Sequence, residues 1–409
     1  MTRRFLLRTT ALVLVGALFA AGCGDDDDTA SSTDTTAKSS TETTVKLTGT
    51  PVKIMVIYEG TGAVATPEVP EGAKGAAAGL NARGGVKGGP VEILECDAGN
   101  DANKAAECGR KAVSEGVVAV VGPVSANAGQ YFPILEQAKI PVVGNVPASA
   151  ADFTSADSFP IYGGIVTASA GLADVLVKQG AKKISIARID LAAASAIGVF
   201  AGASLKRSNQ TINKDVSIPV GAPDMATYVA SALEGGTDGV LVGLSGQDAT
   251  NFIIQLRQTN PNVKISATTT EFDAVVKALG DQAEGILVTA FFHNEQSSPT
   301  AWKAYTKDME AAGFKTFSGF RTNSYAAVMV VAKVLEGAPE ATAAALYDAL
   351  PKAQNIDVGL LPPLQFTKGG VGGVPRVFNS CGRYEQLDAK GNFKNLGDGF
   401  IDMFTGAPC

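Results

Sequence analysis

The side chains here best suited to chemistry are few: one histidine and five cysteines. His293 is a general base by type, because an imidazole titrates near neutral pH. It has no partner in the sequence pattern. There is no G-x-S-x-G elbow and no G-x-x-x-x-G-K-[ST] phosphate loop, and the acids are scattered with no pair that falls on one face. Gly84-Gly85-Val86-Lys87-Gly88-Gly89 is glycine-rich, but it follows a predicted helix and leads into a predicted strand, so it reads as a turn. No nucleophile, acid or base converges. The chain is therefore expected not to be an enzyme and to need no cofactor. A single histidine and no close Cys-x-x-Cys pair argue against a metal.

Cys23 has a different chemistry. Ala20-Ala21-Gly22-Cys23 closes an apolar run from Ala11 to Ala21, behind Arg3, Arg4 and Arg8, and Asp25 to Asp28 follow at once. A spanning helix needs ~20 apolar residues. This run is shorter and ends in small residues, which marks a processed leader. Residues 1–22 are thus expected to be a lipoprotein signal peptide, with Cys23 acylated and the chain held to the outer face of a bacterial cell membrane. Residues 23–47 would be the lipidated cysteine and its tether, too poor in apolar bulk to offset ordering entropy. Loss of the leader takes the formal charge from −6 to −9. That acidity argues against a nucleic-acid partner. The remaining cysteines are Cys96, Cys108, Cys381 and Cys409. An even count in an oxidising compartment suggests disulfides. Cys96–Cys108 and Cys381–Cys409 are favoured among the possible connectivities, because each pair brackets one local segment.

The elements that would position any site alternate. Predicted strands are Val52–Tyr58, Val91–Cys96, Val117–Gly122 and Ile140–Gly144. After Gly171 the series resumes with Lys183–Arg188, Asp215–Val220, Gly239–Leu244, Val263–Ala267 and Gly285–Phe291. Predicted helices fall between them, among them Glu71–Arg83, Ala102–Glu115 and Ala128–Lys139. Continuous apolar strands bounded by glycine and separated by helices imply parallel sheet. The fold class is α/β, with two doubly wound lobes in succession. Ligands in such sheets sit beyond the carboxyl ends of the strands, which here means a cleft between the lobes.

Several blocks resemble the type I periplasmic-type solute-binding proteins of the branched-chain amino-acid group. They are VKIMVIYEGTGAVA (from Val52), LNARGGVKGGPVEILECDAGNDANKAAECGRKAV (from Leu80), VVAVVGPVSANAGQYFPILEQAKIPVVG (from Val117), LGDQAEGILVTAFF (from Leu279) and NSYAAVMVVAKVL (from Asn323). The resemblance implies two lobes joined by three crossovers, near Gly163–Ser169, Thr289–His293 and Ile356–Leu361. One lobe would hold residues 48–166 with 292–357, and the other 167–291 with 358–409. It further implies a monomer that closes on a small carboxylate-bearing solute, an amino acid or a relative, and delivers it to an ABC permease. A tethered ligand sensor of the same fold is the alternative.

The expected site can also be stated in physical terms. The loop Val124-Ser125-Ala126-Asn127 opens a helix, and the free N–H groups of a helix start attract anions. The resemblance places the ligand carboxylate on Ser125, Ala126 and Asn127, though Ser125 or Asn127 is equally a helix cap by type. Asn145 and Ser149 offer donors in the next loop, or serve its turn. Tyr58 and Tyr325 are candidate apolar walls, or core. The chain departs from the family at Ala126 and in Leu191-Ala192-Ala193-Ala194. It departs again at Thr268, which stands where the family's ammonium-binding glutamate would be. Asp190 or Glu271 is the expected substitute for that charge; without one, the solute is not an α-amino acid.

Overall fold

A computed structural model describes residues 46–61, 65–268, 272–315 and 319–409; Cys23, its leader and Glu271 lie outside them. The described residues form one compact unit. It is built on two sheets.

The first sheet holds β1 (Val52–Tyr58), β2 (Val91–Asp97), β3 (Ala119–Val121), β4 (Val142–Val143) and β5 (Ser158–Phe159), in the order β2-β1-β3-β4-β5. All four pairings are parallel. Strand β1 shows why the sheet is covered on both faces. Side chains alternate along a strand. Val52, Ile54 and Val56 point into a core shared with helices Val69–Ala82 and Gly319–Gly337. Met55 and Ile57 point the other way, into a core with Cys108, Tyr131 and Phe132 from helices Ala102–Ser114 and Ala128–Ala138. Burying one such side chain contributes roughly 1.5–3 kcal/mol, so the apolar run is stable only as a central strand.

The second sheet holds β6 (Ile184–Ile189), β7 (Ile212–Ile218), β8 (Gly239–Gly243), β9 (Lys264–Ala267) and β10 (Leu287–Ala290), with β11 (Cys381–Leu387) and β12 (Phe393–Asp402). The order is β12-β11-β10-β9-β8-β6-β7. Strands β6 to β10 pair in parallel; β11 and β12 extend the sheet antiparallel. That antiparallel edge was not expected from the sequence. Disulfides join Cys96 to Cys108 and Cys381 to Cys409, the favoured pairs. The first ties β2 to the helix after it, and the second ties the C-terminus to β11.

The chain passes between sheets three times. The first passage separates β5 from helix Gly164–Lys178, and the second follows β10. The third differs from the expected Ile356–Leu361. Leu360, Leu361, Leu364, Phe366 and Phe378 all pack in the first sheet's core. Phe366 meets Phe159 edge-on at 5.4 Å, and the Arg376 guanidinium lies 4.7 Å over the Phe159 ring. Residues 358–378 therefore cover the β5 edge, and the chain reaches the second sheet only at Cys381. Among the described residues, no helix is long and apolar enough to cross a membrane.

Candidate functional site

The passages after β5 and β10 leave from carboxyl strand ends, so the carboxyl ends of both sheets border the same hinge. A ligand of a parallel sheet belongs beyond those ends, so the loops there are the candidate site. The three passages are fastened to one another. Tyr162 stacks on Phe291 at 4.7 Å and meets Phe292 edge-on at 5.7 Å. Asn379 donates from Nδ2 to the Ile161 carbonyl at 2.9 Å. Arg383 donates from Nε to the Phe292 carbonyl at 2.9 Å and from Nη2 to Glu385 at 2.6 Å, both side chains being buried. His293 sits beside this cluster. Its N–H donates to the Leu360 carbonyl at 2.6 Å, and its Nδ1 lies 3.0 Å from the Ser297 hydroxyl. Burial and the Arg383 charge push its pKa below the usual imidazole value. Its surroundings are those of a hinge residue.

Two glycines aim the first lobe's loops. Gly122 and Gly144 end β3 and β4 at φ +64° and +69°. A Cβ on Gly144 would stand 2.4 Å from the Ala327 Cβ, and one on Gly122 would stand 2.8 Å from the Ser324 Cβ. Both loops therefore turn directly over helix Gly319–Gly337. Only glycine combines that positive φ with that approach.

The loop after β3 holds a finding that the sequence reading missed. The Ser125 hydroxyl donates to Glu59, the residue after β1, and the Asn100 N–H donates to the other Glu59 oxygen. Glu59 is 1% exposed. The hydroxyl expected to meet a solute carboxylate already holds the protein's own. Ser125 also accepts from the Asn127 N–H at 3.1 Å. Ala126 is exposed and Asn127 half-buried at the helix start, where Asn127 makes no side-chain cap. A visible signal existed: an acid directly follows the apolar run Val52–Tyr58, at a position bordering the cleft.

The other expected residues divide. Asn145 is fully buried and donates to Asp152 and Ser158 at 2.8 and 3.0 Å, so its amide organises the loop. Ser149 caps helix Ala150–Thr154 in a capping box with Asp152. Burial pushes the Asp152 carboxyl up. Tyr325 lies in the core. It is 4% exposed and donates to Asp308 at 2.7 Å, while Arg83 holds the same carboxylate through two bonds. Tyr58 is half-buried at the end of β1; burial, then Asp97 and Glu95, push its phenol up. Across the cleft, Asp190 is exposed at the end of β6 and accepts from Ser217 at 2.8 Å. Leu191 beside it is exposed. Thr268 follows β9, and its hydroxyl donates to the Leu244 carbonyl at 3.1 Å. Tyr58, Ala126, Asn127, Asp190 and Thr268 thus stand exposed or half-buried at carboxyl strand ends, while Asn145, Ser149 and Tyr325 are bonded within the protein.

A family model described as periplasmic binding protein matches residues 51–375. No curated protein matches the chain by sequence. Solved structures resemble it. One is a substrate-binding periplasmic protein from Ralstonia solanacearum, at TM-score 0.72 and 18% identity, covering 84% of this chain and 100% of its own. Another is the branched-chain amino acid transporter substrate-binding protein from Streptococcus pneumoniae in complex with isoleucine, at 0.69 and 19%, covering 84% and 98%. A third is an ABC transporter solute-binding protein from R. palustris in complex with 4-hydroxybenzoate, at 0.71 and 18%, covering 86% and 97%. At such identities the likeness is one of fold.

Proposed function

Because the chain belongs to the periplasmic binding protein family, we propose that it is the extracytoplasmic solute-binding component of an ABC importer. Its two lobes close by hinge motion on a small polar solute and present it to a membrane permease. The observation that carries this reading is the cleft. The carboxyl ends of the parallel strands of both sheets border one hinge of three mutually bonded passages. The cleft is formed within one chain, in keeping with a monomer. The leader and Cys23 tie the protein to the outer face of the membrane. Replacement of Cys23 by alanine should release it into the soluble fraction. The ligands named for two of the structural neighbours make amino acids and related small carboxylates the first class to test.

A thermal-shift titration of the chain lacking residues 1–23 tests the reading. A solute at ~100 times its Kd adds about 2.7 kcal/mol. For a unit of this size that raises Tm by about 3 °C. A panel of amino acids, amines, amides and aromatic acids that moves the midpoint nowhere would refute solute binding.

A further inference from the structure

A contact outside the three passages also joins the lobes. It is made by residues 367–378, a glycine-rich strap that follows Phe366 along the β5 edge. The base of the strap belongs to the first lobe. Arg376 donates from Nε to the Ser158 carbonyl and from Nη2 to the Ala156 carbonyl, both at 2.8 Å, and its backbone N–H donates to the Phe153 carbonyl at 3.3 Å. Its guanidinium lies 4.7 Å from the centres of two nearly parallel rings, Phe159 and Phe378. A cation between two aromatic faces is attracted to both, so the base is held by stacking as well as by hydrogen bonds. Between the base and Phe366 the chain folds back on itself. Gly373 N–H donates to the Gly370 carbonyl at 3.0 Å, Val374 N–H to the Val371 carbonyl at 3.2 Å and Val371 N–H to the Val377 carbonyl at 3.2 Å.

The tip of that fold rests on the other lobe. A Cβ on Gly372 would stand 2.8 Å from Phe404 Cζ and 3.2 Å from Val166 Cγ1. Both neighbours belong to the second lobe. Phe404 follows β12 and packs on the core that holds Leu172, Ile186 and Met403, and it meets Phe200 edge-on at 6.4 Å. Its N–H donates to the Asp402 carboxylate at 2.8 Å, which fixes the turn that presents the ring. Val166 is buried in helix Gly164–Lys178, which covers the same sheet. The strap is thus anchored in one lobe and seated on the other. Rotation of the lobes about the hinge has to lift or slide the tip. The states of a hinge are separated by small free energies, so one such contact is enough to set their balance. We infer that residues 367–378 are a tie that restrains the lobes from parting, and that the seating of Gly372 on Phe404 is what fastens it. The tie acts on the hinge itself, whatever solute the cleft takes.

The test uses the chain lacking residues 1–23, with no solute present. Gly372→Ala and Gly373→Ala are the critical pair. Both put alanine at positive φ, +64° and +79°, so their backbone strain is alike. Only the first sets its Cβ against Phe404 and Val166; the second meets nothing within 4 Å. Small-angle scattering reads the radius of gyration, and limited trypsin digestion reads the opening of the strap at the exposed Lys368. Gly372→Ala should enlarge the radius of gyration. It should also speed cleavage after Lys368 roughly tenfold over Gly373→Ala, or about 1.4 kcal/mol of lost seating. Phe404→Ala removes the seat from the other side and should act in the same direction, with its Tm recorded to show that it folds. A radius no larger than that of the wild type in either of these two variants would overturn the inference, whatever trypsin shows. So would a Gly373→Ala as expanded as Gly372→Ala, because strain and not contact would then be the cause. Each of these outcomes leaves the solute-binding reading where it stands, since no solute enters the experiment.

Discussion

Removing Glu385 alone should damage the hinge more than removing Glu385 and Arg383 together. The two residues are each 5% exposed, and their side chains bond at 2.6 Å. Arg383 also reaches Asn395 at 2.5 Å and the Phe292 carbonyl at 2.9 Å, while Asn294 donates to Glu385 at 2.7 Å. The cluster joins β11 and β12 to the second passage between lobes. Glu385→Ala leaves a guanidinium buried without its counter-charge. Breaking a buried pair this way costs about 3–5 kcal/mol, whereas an apolar pair of similar volume is often neutral. Unfolding a unit of this size changes entropy by about 0.8 kcal/mol per degree. Glu385→Ala should therefore lower Tm by roughly 4–6 °C. Arg383→Met with Glu385→Leu should lower it by less than either single change. Thermal unfolding of both single variants and the double variant closes a mutant cycle. If Glu385→Ala cost under about 1 kcal/mol, or if the double variant lost the sum of the singles, the pair would be no more than a solvated surface contact.

Three further outcomes are expected. Gly144→Ala places a Cβ at φ +69° and 2.4 Å from Ala327; left-handed backbone and overpacking together should cost about 2–4 kcal/mol, read as a drop in urea midpoint. Tyr325→Phe removes a donor from Asp308 but leaves both Arg83 bonds, so stability should fall by about 1–1.5 kcal/mol with solute affinity unchanged, contrary to a role as a ligand wall. His293 has its pKa lowered by burial and by Arg383. The folded state therefore binds fewer protons than the unfolded state once pH falls below about 6.5. The contribution of His293 is complete above that value and is lost as pH drops through the folded pKa. Tm should fall from pH 7.5 to 5.0 by less in His293→Gln than in the wild type; an equal fall would refute the role.

How much of this was legible in the sequence depended on periodicity. Strands β1, β3, β4, β6, β8 and β10 are short, mainly apolar runs, and buried parallel strands leave that pattern because both faces are covered; the edge strands β2 and β7 carry charged residues and are only partly buried. Strands β11 and β12 leave no such pattern. CGRYEQL mixes charge with apolar residues, and its Arg383 and Glu385 are buried only because each neutralises the other. Segment 356–378 carries no period at all; it is held to the first lobe by Phe366, Phe378 and Arg376 across the end of β5, contacts between residues far apart in sequence. The loops after β3 and β4 could be found, but not the direction of their side chains. Asn145 and Ser149 were read as donors for a solute, and both face Asp152 instead. A short polar side chain in a loop satisfies its own backbone as readily as a ligand. Only the packed structure decides between the two.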